Sequence, residues 1–250
     1  MKRNDKIYGM HAVRALLDTR AGDVEQVWIQ DAESARKRLV DLLQLAMKAG
    51  IPVQYCSRKE LDDMSGQARH QGIIASAAAS SSMDENTLLT LIENTDRNPL
   101  ILALDSVQDP HNLGACMRSA DAAGALAVVV PRDKASGLTA VVRKVASGAA
   151  ENLPLVQVTN LGRTLEAMKQ AGLWVTGLAG EADSTLYQVD LKGPTVLVIG
   201  AEGKGLRQNI REKCDYLANI PMLGSVSSLN ASVAAGVCLF EAVRQRGLKG

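Results

Sequence analysis

Three stretches of the chain hold polar residues in patterns that suit chemistry better than packing. The first runs Asp105-Ser106-Val107-Gln108-Asp109-Pro110-His111-Asn112-Leu113-Gly114-Ala115-Cys116-Met117-Arg118. Asp-Pro marks a turn, and Asn112 stands where a helix N-cap belongs. Arg118 follows on a helix of small neighbours (Gly114, Ala115, Ser119, Ala120), which leave its planar guanidinium free to reach a phosphate or substrate. The plainer reading is a capping Asn112 and a solvated Arg118, and these residues alone do not separate the two. His111, next in line, could serve as a base; it reads better as a turn residue beside Pro110.

The second stretch is Gly200-Ala201-Glu202-Gly203-Lys204-Gly205, directly after the apolar run Val196–Ile199. Glycines let a ligand approach the backbone closely. The order Gly-x-x-Gly-x-Gly is not the dinucleotide fingerprint Gly-x-Gly-x-x-Gly, nor does it carry the Lys-Ser/Thr of a phosphate-binding P-loop. Glu202 either caps the next helix or offers a carboxylate to a ligand. The third stretch, Ile220-Pro221-Met222-Leu223-Gly224-Ser225-Val226-Ser227-Ser228-Leu229-Asn230, ends where Ser228 or Asn230 could cap a final helix. No Gly-x-Ser-x-Gly elbow is present, so a serine hydrolase is not indicated.

The elements that position these stretches alternate along the second part of the chain. Apolar strands are predicted at Leu100–Leu104, Leu126–Val130, Leu155–Val158, Leu173–Leu178, Val196–Ile199 and Leu217–Ile220. Helices are predicted at Leu113–Ala123, Thr139–Val145, Leu161–Ala171, Leu206–Lys213 and Ala231–Arg246. Continuously apolar strands separated by helices imply an α/β domain with a mostly parallel sheet covered on both faces. Its ligands bind beyond the carboxyl ends of the strands, where all three stretches fall.

The first part of the chain predicts a smaller α/β unit. A helix opens near Met10, strands cover Val24–Ile29, Pro52–Cys56 and Gly72–Ala77, and one helix spans Ala35 to Met47 until Gly50 stops it. Between the parts, Ser80-Ser81-Ser82-Met83-Asp84-Glu85-Asn86 is small and polar, and residues 81–97 hold four acids against one base. The expected division is 1–78, a linker at 79–97, and 98–250.

Composition narrows the function classes. Apolar residues make up 46% and charged residues 22%, which excludes a disordered or fibrous chain. Aromatics are 3%, so base stacking is not the main binding device. The net charge of +1 excludes a blanket-basic surface but not a local patch. Cys56, Cys116, Cys214 and Cys238 form no Cys-x-x-Cys, and His11, His70 and His111 are dispersed, so no metal site is predicted. Scattered thiols suit a reducing compartment, and no signal peptide or bilayer-length apolar run is visible, so a soluble, cytoplasmic, non-membrane protein is expected.

Taken together, the three stretches resemble motifs 1, 2 and 3 of the SpoU/TrmH branch of the SPOUT methyltransferases: Asp-Pro-His-Asn-Leu-Gly-Ala-Cys-x-Arg-Ser-Ala-Asp, Ile-Gly-Ala-Glu-Gly-x-Gly, and Ile-Pro-Met-x-Gly-Ser-Val-Ser-Ser-Leu-Asn. The resemblance extends to Ile7-Tyr8-Gly9-Met10-His11-Ala12-Val13, to His70-Gln71-Gly72-Ile73 and to Gly180-Glu181-Ala182-Asp183. It implies S-adenosylmethionine-dependent methylation of the ribose 2′-hydroxyl of a guanosine in large-subunit (23S) ribosomal RNA. It further implies a deep trefoil knot in the C-terminal domain, an L30e-like N-terminal RNA-binding domain, and a homodimer joined through the catalytic domain.

By the same resemblance Asn112, Arg118, Glu202, Ser228 and Asn230 are catalytic. Leu178, Gly180, Gly200, Ile220, Met222 and Leu229 hold the cofactor, and Tyr8, Arg14, His70, Gln71 and Arg118 contact RNA. Two alternatives stay open on the resemblance: a transfer-RNA substrate, and a non-catalytic RNA-binding assembly factor on the same fold. A nicotinamide-dependent oxidoreductase rests on fold analogy alone.

Overall fold

The computed structural model describes residues 4–78, 83–133 and 135–247. The chain forms two compact units, one from the residues before Ser82 together with Arg143–Asn152, the other from the remainder.

The first unit runs β1 (Asn4–Tyr8), α1 (Met10–Arg20), β2 (Val24–Gln30), α2 (Glu33–Arg38), α3 (Val40–Lys48), β3 (Val53–Cys56), α4 (Arg58–Ser65) and β4 (Ile73–Ala78). Its four-stranded sheet has the order β1-β4-β2-β3, with β4 antiparallel to both neighbours and β2 parallel to β3. Val13, Leu16, Val27, Ile29, Leu39, Ile73 and Ala75 form the core. Two features differ from the sequence expectation. Strand β1 was not expected, because Asn4-Asp5-Lys6-Ile7-Tyr8 has one fully buried apolar residue, Ile7; pairing with β4 supplies what its composition lacks. The single helix expected over Ala35–Met47 is broken at Leu39, whose φ and ψ of −105° and 12° leave the helical region.

The chain continues with α5 (Glu85–Glu93), β5 (Leu100–Asp105), α6 (Pro110–Ala122), β6 (Ala127–Pro131), α7 (Ala140–Ala146), α8 (Ala149–Asn152), β7 (Leu155–Val158), α9 (Leu161–Gln170) and β8 (Trp174–Leu178), all in the second unit except the Arg143–Asn152 stretch of α7 and α8. It ends with β9 (Ser184–Thr185), β10 (Thr195–Gly200), α10 (Gln208–Arg211), β11 (Tyr216–Asn219) and α11 (Ala231–Gln245). The seven strands lie in the order β7-β6-β5-β10-β8-β11-β9, and every pairing is parallel. Strands β5, β6 and β10 are buried along their whole length, as a sheet covered on both faces requires.

Part of 79–97, expected as a linker, is folded. Asp84 caps α5 by accepting from the Thr87 amide at 2.9 Å, and Leu88 and Ile92 are buried with Val156, Val158 and Leu161. The acids that suggested a linker serve the helix N-terminus, where negative charge is favourable. Helix α10 is a single turn, shorter than the predicted Leu206–Lys213.

The segment Arg143–Asn152 packs with the first unit through charge. Glu151, with its side chain 1% exposed, lies between Arg143 and Arg20, and Arg143 also reaches Asp5 at 3.0 Å. A carboxylate so deeply buried is tolerable only because both guanidiniums are in place. Among the described residues no helix is long and apolar enough to cross a membrane.

Candidate active site at the carboxyl ends of the parallel strands

Strands β5, β10, β8 and β11 are neighbours, so the segments that follow them meet at one edge of the sheet. Gly200 at the end of β10 pairs with Asp105 at the end of β5. The turn after Gly200 folds back tightly: a Cβ at position 200 would lie 2.1 Å from the carbonyl carbon of Gly205. Only glycine allows the turn to close onto the strand end in this way.

A cavity of about 620 Å³ opens at this edge. Leu178, Gly180, Gly200, Ile220, Met222 and Leu229, the residues expected to hold a cofactor, all line it. So do Glu202 and Ser228. A side chain at Gly180 would meet no protein atom within 4 Å, which leaves that wall open to a ligand. Backbone groups from three turns and apolar side chains from Leu178, Ile220, Met222 and Leu229 suit a flat heteroaromatic ring with a short polar tail.

Beside the cavity the structure brings Asn112, Glu202 and Asn230 into one hydrogen-bonded cluster. Glu202 Oε1 accepts from Asn112 Nδ2 at 3.1 Å, from the Asn230 side-chain amide, and from the Ala231 backbone N at 3.3 Å. Asn230 Nδ2 also donates to Asn112 Oδ1 at 3.0 Å. Asn230 caps α11 as expected, accepting from the amides of Ser232 and Val233. Asn112 is not a cap: Asp109 caps α6, Pro110 occupies its first turn, and Asn112 lies inside the helix. Glu202 serves the N-terminus of α11 rather than the helix that follows it in sequence.

Arg118 is exposed on α6 and makes no hydrogen bond or ion pair among the described residues; Ser228, also exposed, makes no hydrogen bond. The small neighbours seen in the sequence leave the Arg118 guanidinium uncommitted. Of the residues expected to contact RNA, Arg14 pairs with Asp41 at 3.4 Å, and Tyr8 packs against the cluster of Cys56, Leu61 and Ile74. Burial raises the Tyr8 phenol above its ordinary pKa. His70 is buried with both ring nitrogens engaged, and Gln71 accepts from the Met10 amide at 3.0 Å.

Sequence reasoning missed Asp105 and Arg207. Asp105 is fully buried at the end of β5, where its carboxylate meets Arg207. The available signal was an acid closing a run of five buried apolar residues, since such a charge demands a partner.

The sequence profile described as SpoU rRNA Methylase family matches residues 99–240, and that described as RNA 2'-O ribose methyltransferase substrate binding matches residues 6–83. The chain belongs to the SpoU rRNA methylase family. It is 56% identical over 249 residues to the 23S rRNA (guanosine-2'-O-)-methyltransferase RlmB of Pseudomonas putida, covering 100% of both chains. It is 57% identical over 246 residues to the enzyme of that name from Pseudomonas aeruginosa, covering 98% of each. Among solved structures, the SpoU methyltransferase AviRb from Streptomyces viridochromogenes in complex with the cofactor AdoMet matches with a TM-score of 0.77 at 27% identity. That match covers 97% of this chain and 90% of the other. The alternating α/β pattern of this SpoU family member thus owes nothing to a nicotinamide fingerprint.

Proposed function

We propose that this protein transfers a methyl group from S-adenosylmethionine to the ribose 2′-hydroxyl of a guanosine in large-subunit ribosomal RNA. The observation that carries the reading is identity above one half, over essentially the whole chain, to enzymes named for that reaction. The cavity fits the cofactor in size and lining. Leu178, Gly180, Gly200, Ile220, Met222 and Leu229 would hold it, and once bound it supplies a methyl already activated on a sulfonium.

The work left to the chain is to position a ribose hydroxyl and to help it lose a proton. Arg118, exposed and unpaired among the described residues, binds an RNA phosphate and steers the hydroxyl. A guanidinium stays protonated at ordinary pH, so anchoring is a better use of it than proton abstraction. Glu202 holds Asn112 and Asn230 in fixed orientation, and the three form the polar wall beside the reacting sugar. Ser228, which lines the same cavity and makes no hydrogen bond among the described residues, is available to the ribose.

The first unit serves as an L30e-like RNA-binding domain and the second as the catalytic domain. The substrate-binding profile over residues 6–83 supports the first assignment. A trefoil knot forms the cofactor pocket; in its favour, β10 is inserted between β5 and β8, and the turn after it closes tightly onto Gly200. The protein acts as a cytoplasmic homodimer. Val233 and Phe240, half exposed on α11, offer apolar surface for a second copy.

The test is a map of 2′-O-methyl groups on ribosomal and transfer RNA from cells lacking the protein. One guanosine mark should vanish from large-subunit RNA. Loss from transfer RNA alone would overturn the substrate, and no loss anywhere would favour an assembly factor.

A further inference from the structure

The first unit contains a second cavity of about 620 Å³, lined by Arg38, Arg58, Asp62, Arg69, His70 and Gln71 among others. No Phe, Tyr or Trp lines it, so it is not built to stack a base. Three guanidiniums face one carboxylate, and that carboxylate is already used. Asp62 Oδ1 takes His70 Nε2 at 3.0 Å, while its other oxygen lies 3.8 Å from Arg58.

On α2, the two basic residues that precede Arg38 are matched. Arg36 pairs with Asp31, and Lys37 with Glu33 at 2.7 Å. Arg38 has no acidic partner among the described residues; it donates to the backbone carbonyl of Gln71 at 3.0 Å. Arg69 has no hydrogen bond or ion pair among the described residues.

Two of the lining residues, His70 and Gln71, are held by hydrogen bonds. The Gly72 amide donates to His70 Nδ1 at 3.0 Å, which leaves the proton on Nε2 for Asp62. Gln71 has a positive φ of 55°, and its side-chain carbonyl secures the start of α1 through Met10. His70 and Gln71 therefore shape this hollow, and the groups left over to bind a ligand are the arginines.

We propose that the hollow is a phosphate-binding subsite for the backbone of the RNA substrate, with Arg38 and Arg69 as its contacts. It rests on the methyltransferase reading above and extends it by giving the first unit a defined anchoring site. Phosphate contacts fix position and carry little sequence information. The subsite therefore supplies affinity and register, while the chemistry stays in the second unit.

The test uses the full-length protein and an unmodified 23S rRNA transcript. Arg69→Ala and Arg38→Ala are measured for RNA affinity against salt, for steady-state methyl transfer, and for S-adenosylmethionine binding by calorimetry. Each lost contact should lower the slope of log affinity against log salt by about 0.7–0.9 and weaken binding roughly five- to eightfold at 0.1 M salt. KM for RNA should rise, while kcat and cofactor affinity stay unchanged. Arg69→Lys, which keeps the charge, should recover most of the affinity. Because Arg69 has no partner among the described residues, its removal does not threaten folding. If the wild type transfers methyl and both alanine variants match it in slope and KM, the subsite is overturned alone. If the alanine variants lose slope and affinity as stated but the wild type transfers no methyl, the methyltransferase reading fails and the anchor stands.

Discussion

The carboxylate of Asp105 accepts from both the backbone N of Arg207, at 2.9 Å, and its Nε, at 2.7 Å. This ties the buried end of β5 to the far side of the glycine turn that follows β10. The turn carries Glu202, so the pair holds one wall of the cavity in place. Asp105→Ala would leave Arg207 without its partner and free the turn. A fully buried pair broken on one side costs ~3–5 kcal/mol; with a third of the Arg207 side chain in water, about 2–3 kcal/mol is expected here. Denaturant unfolding should register that loss, and calorimetry a weakened hold on S-adenosylmethionine.

Gly200→Ala tests the closure of the same turn. The new methyl would collide with backbone atoms of Gly205 and Leu206, none of which can swing aside as a side-chain tip would. Overpacking of this kind costs about 1–3 kcal/mol or more, which the turn would relieve by opening. Cofactor affinity should fall at least ~10-fold, measured by calorimetry. Unchanged affinity would show that the turn is not a wall of the cofactor site.

Arg118→Ala separates binding from transfer. Arg118 is exposed, has no partner among the described residues, and is not one of those lining the cavity, so fold and cofactor affinity should be unchanged. Methyl transfer to ribosomal RNA should drop by ~100-fold or more in kcat, the scale of losing one group aimed at the reacting oxygen or its phosphate. Turnover within a few-fold of wild type would remove Arg118 from the reaction.

The thiols give a pH prediction. Burial pushes Cys116, Cys214 and Cys238 up from an ordinary 9.0 to about 12. In the folded protein they remain protonated where the unfolded chain would have ionised. Their contribution to stability is therefore complete below pH 9 and is lost as pH rises from 9 toward 12. A midpoint of chemical unfolding that falls across that window, together with slow labelling of the native protein by a thiol reagent at pH 8, is expected. Rapid labelling of all four thiols in the native state would contradict the burial on which this rests.

The reach of the sequence differed between elements for physical reasons. Strands β5, β6 and β10 were legible because both faces are buried and their composition is continuously apolar. Strand β1 was not, because its pairing with β4 rather than its own apolar content makes it a strand. Helix α5 was hidden by the acids that cap it. The local stretches also left Asn112, Glu202 and Asn230 with capping roles as good as any functional one.

By itself, the order of residues determined an α/β chain, three polar segments following strand ends, and the family likeness those segments carry. Which polar groups share a hydrogen-bonded cluster was decided only in three dimensions. Asn112 and Glu202 are 90 residues apart, and their contact depends on β5 and β10 lying side by side in the sheet. Local preference acts over a few residues, whereas strand order is set by burying whole faces of the sheet at once. The same holds for Asp105 and Arg207, and for the uncommitted arginines of the first unit: whether a charge is already paired is a fact about neighbours in space.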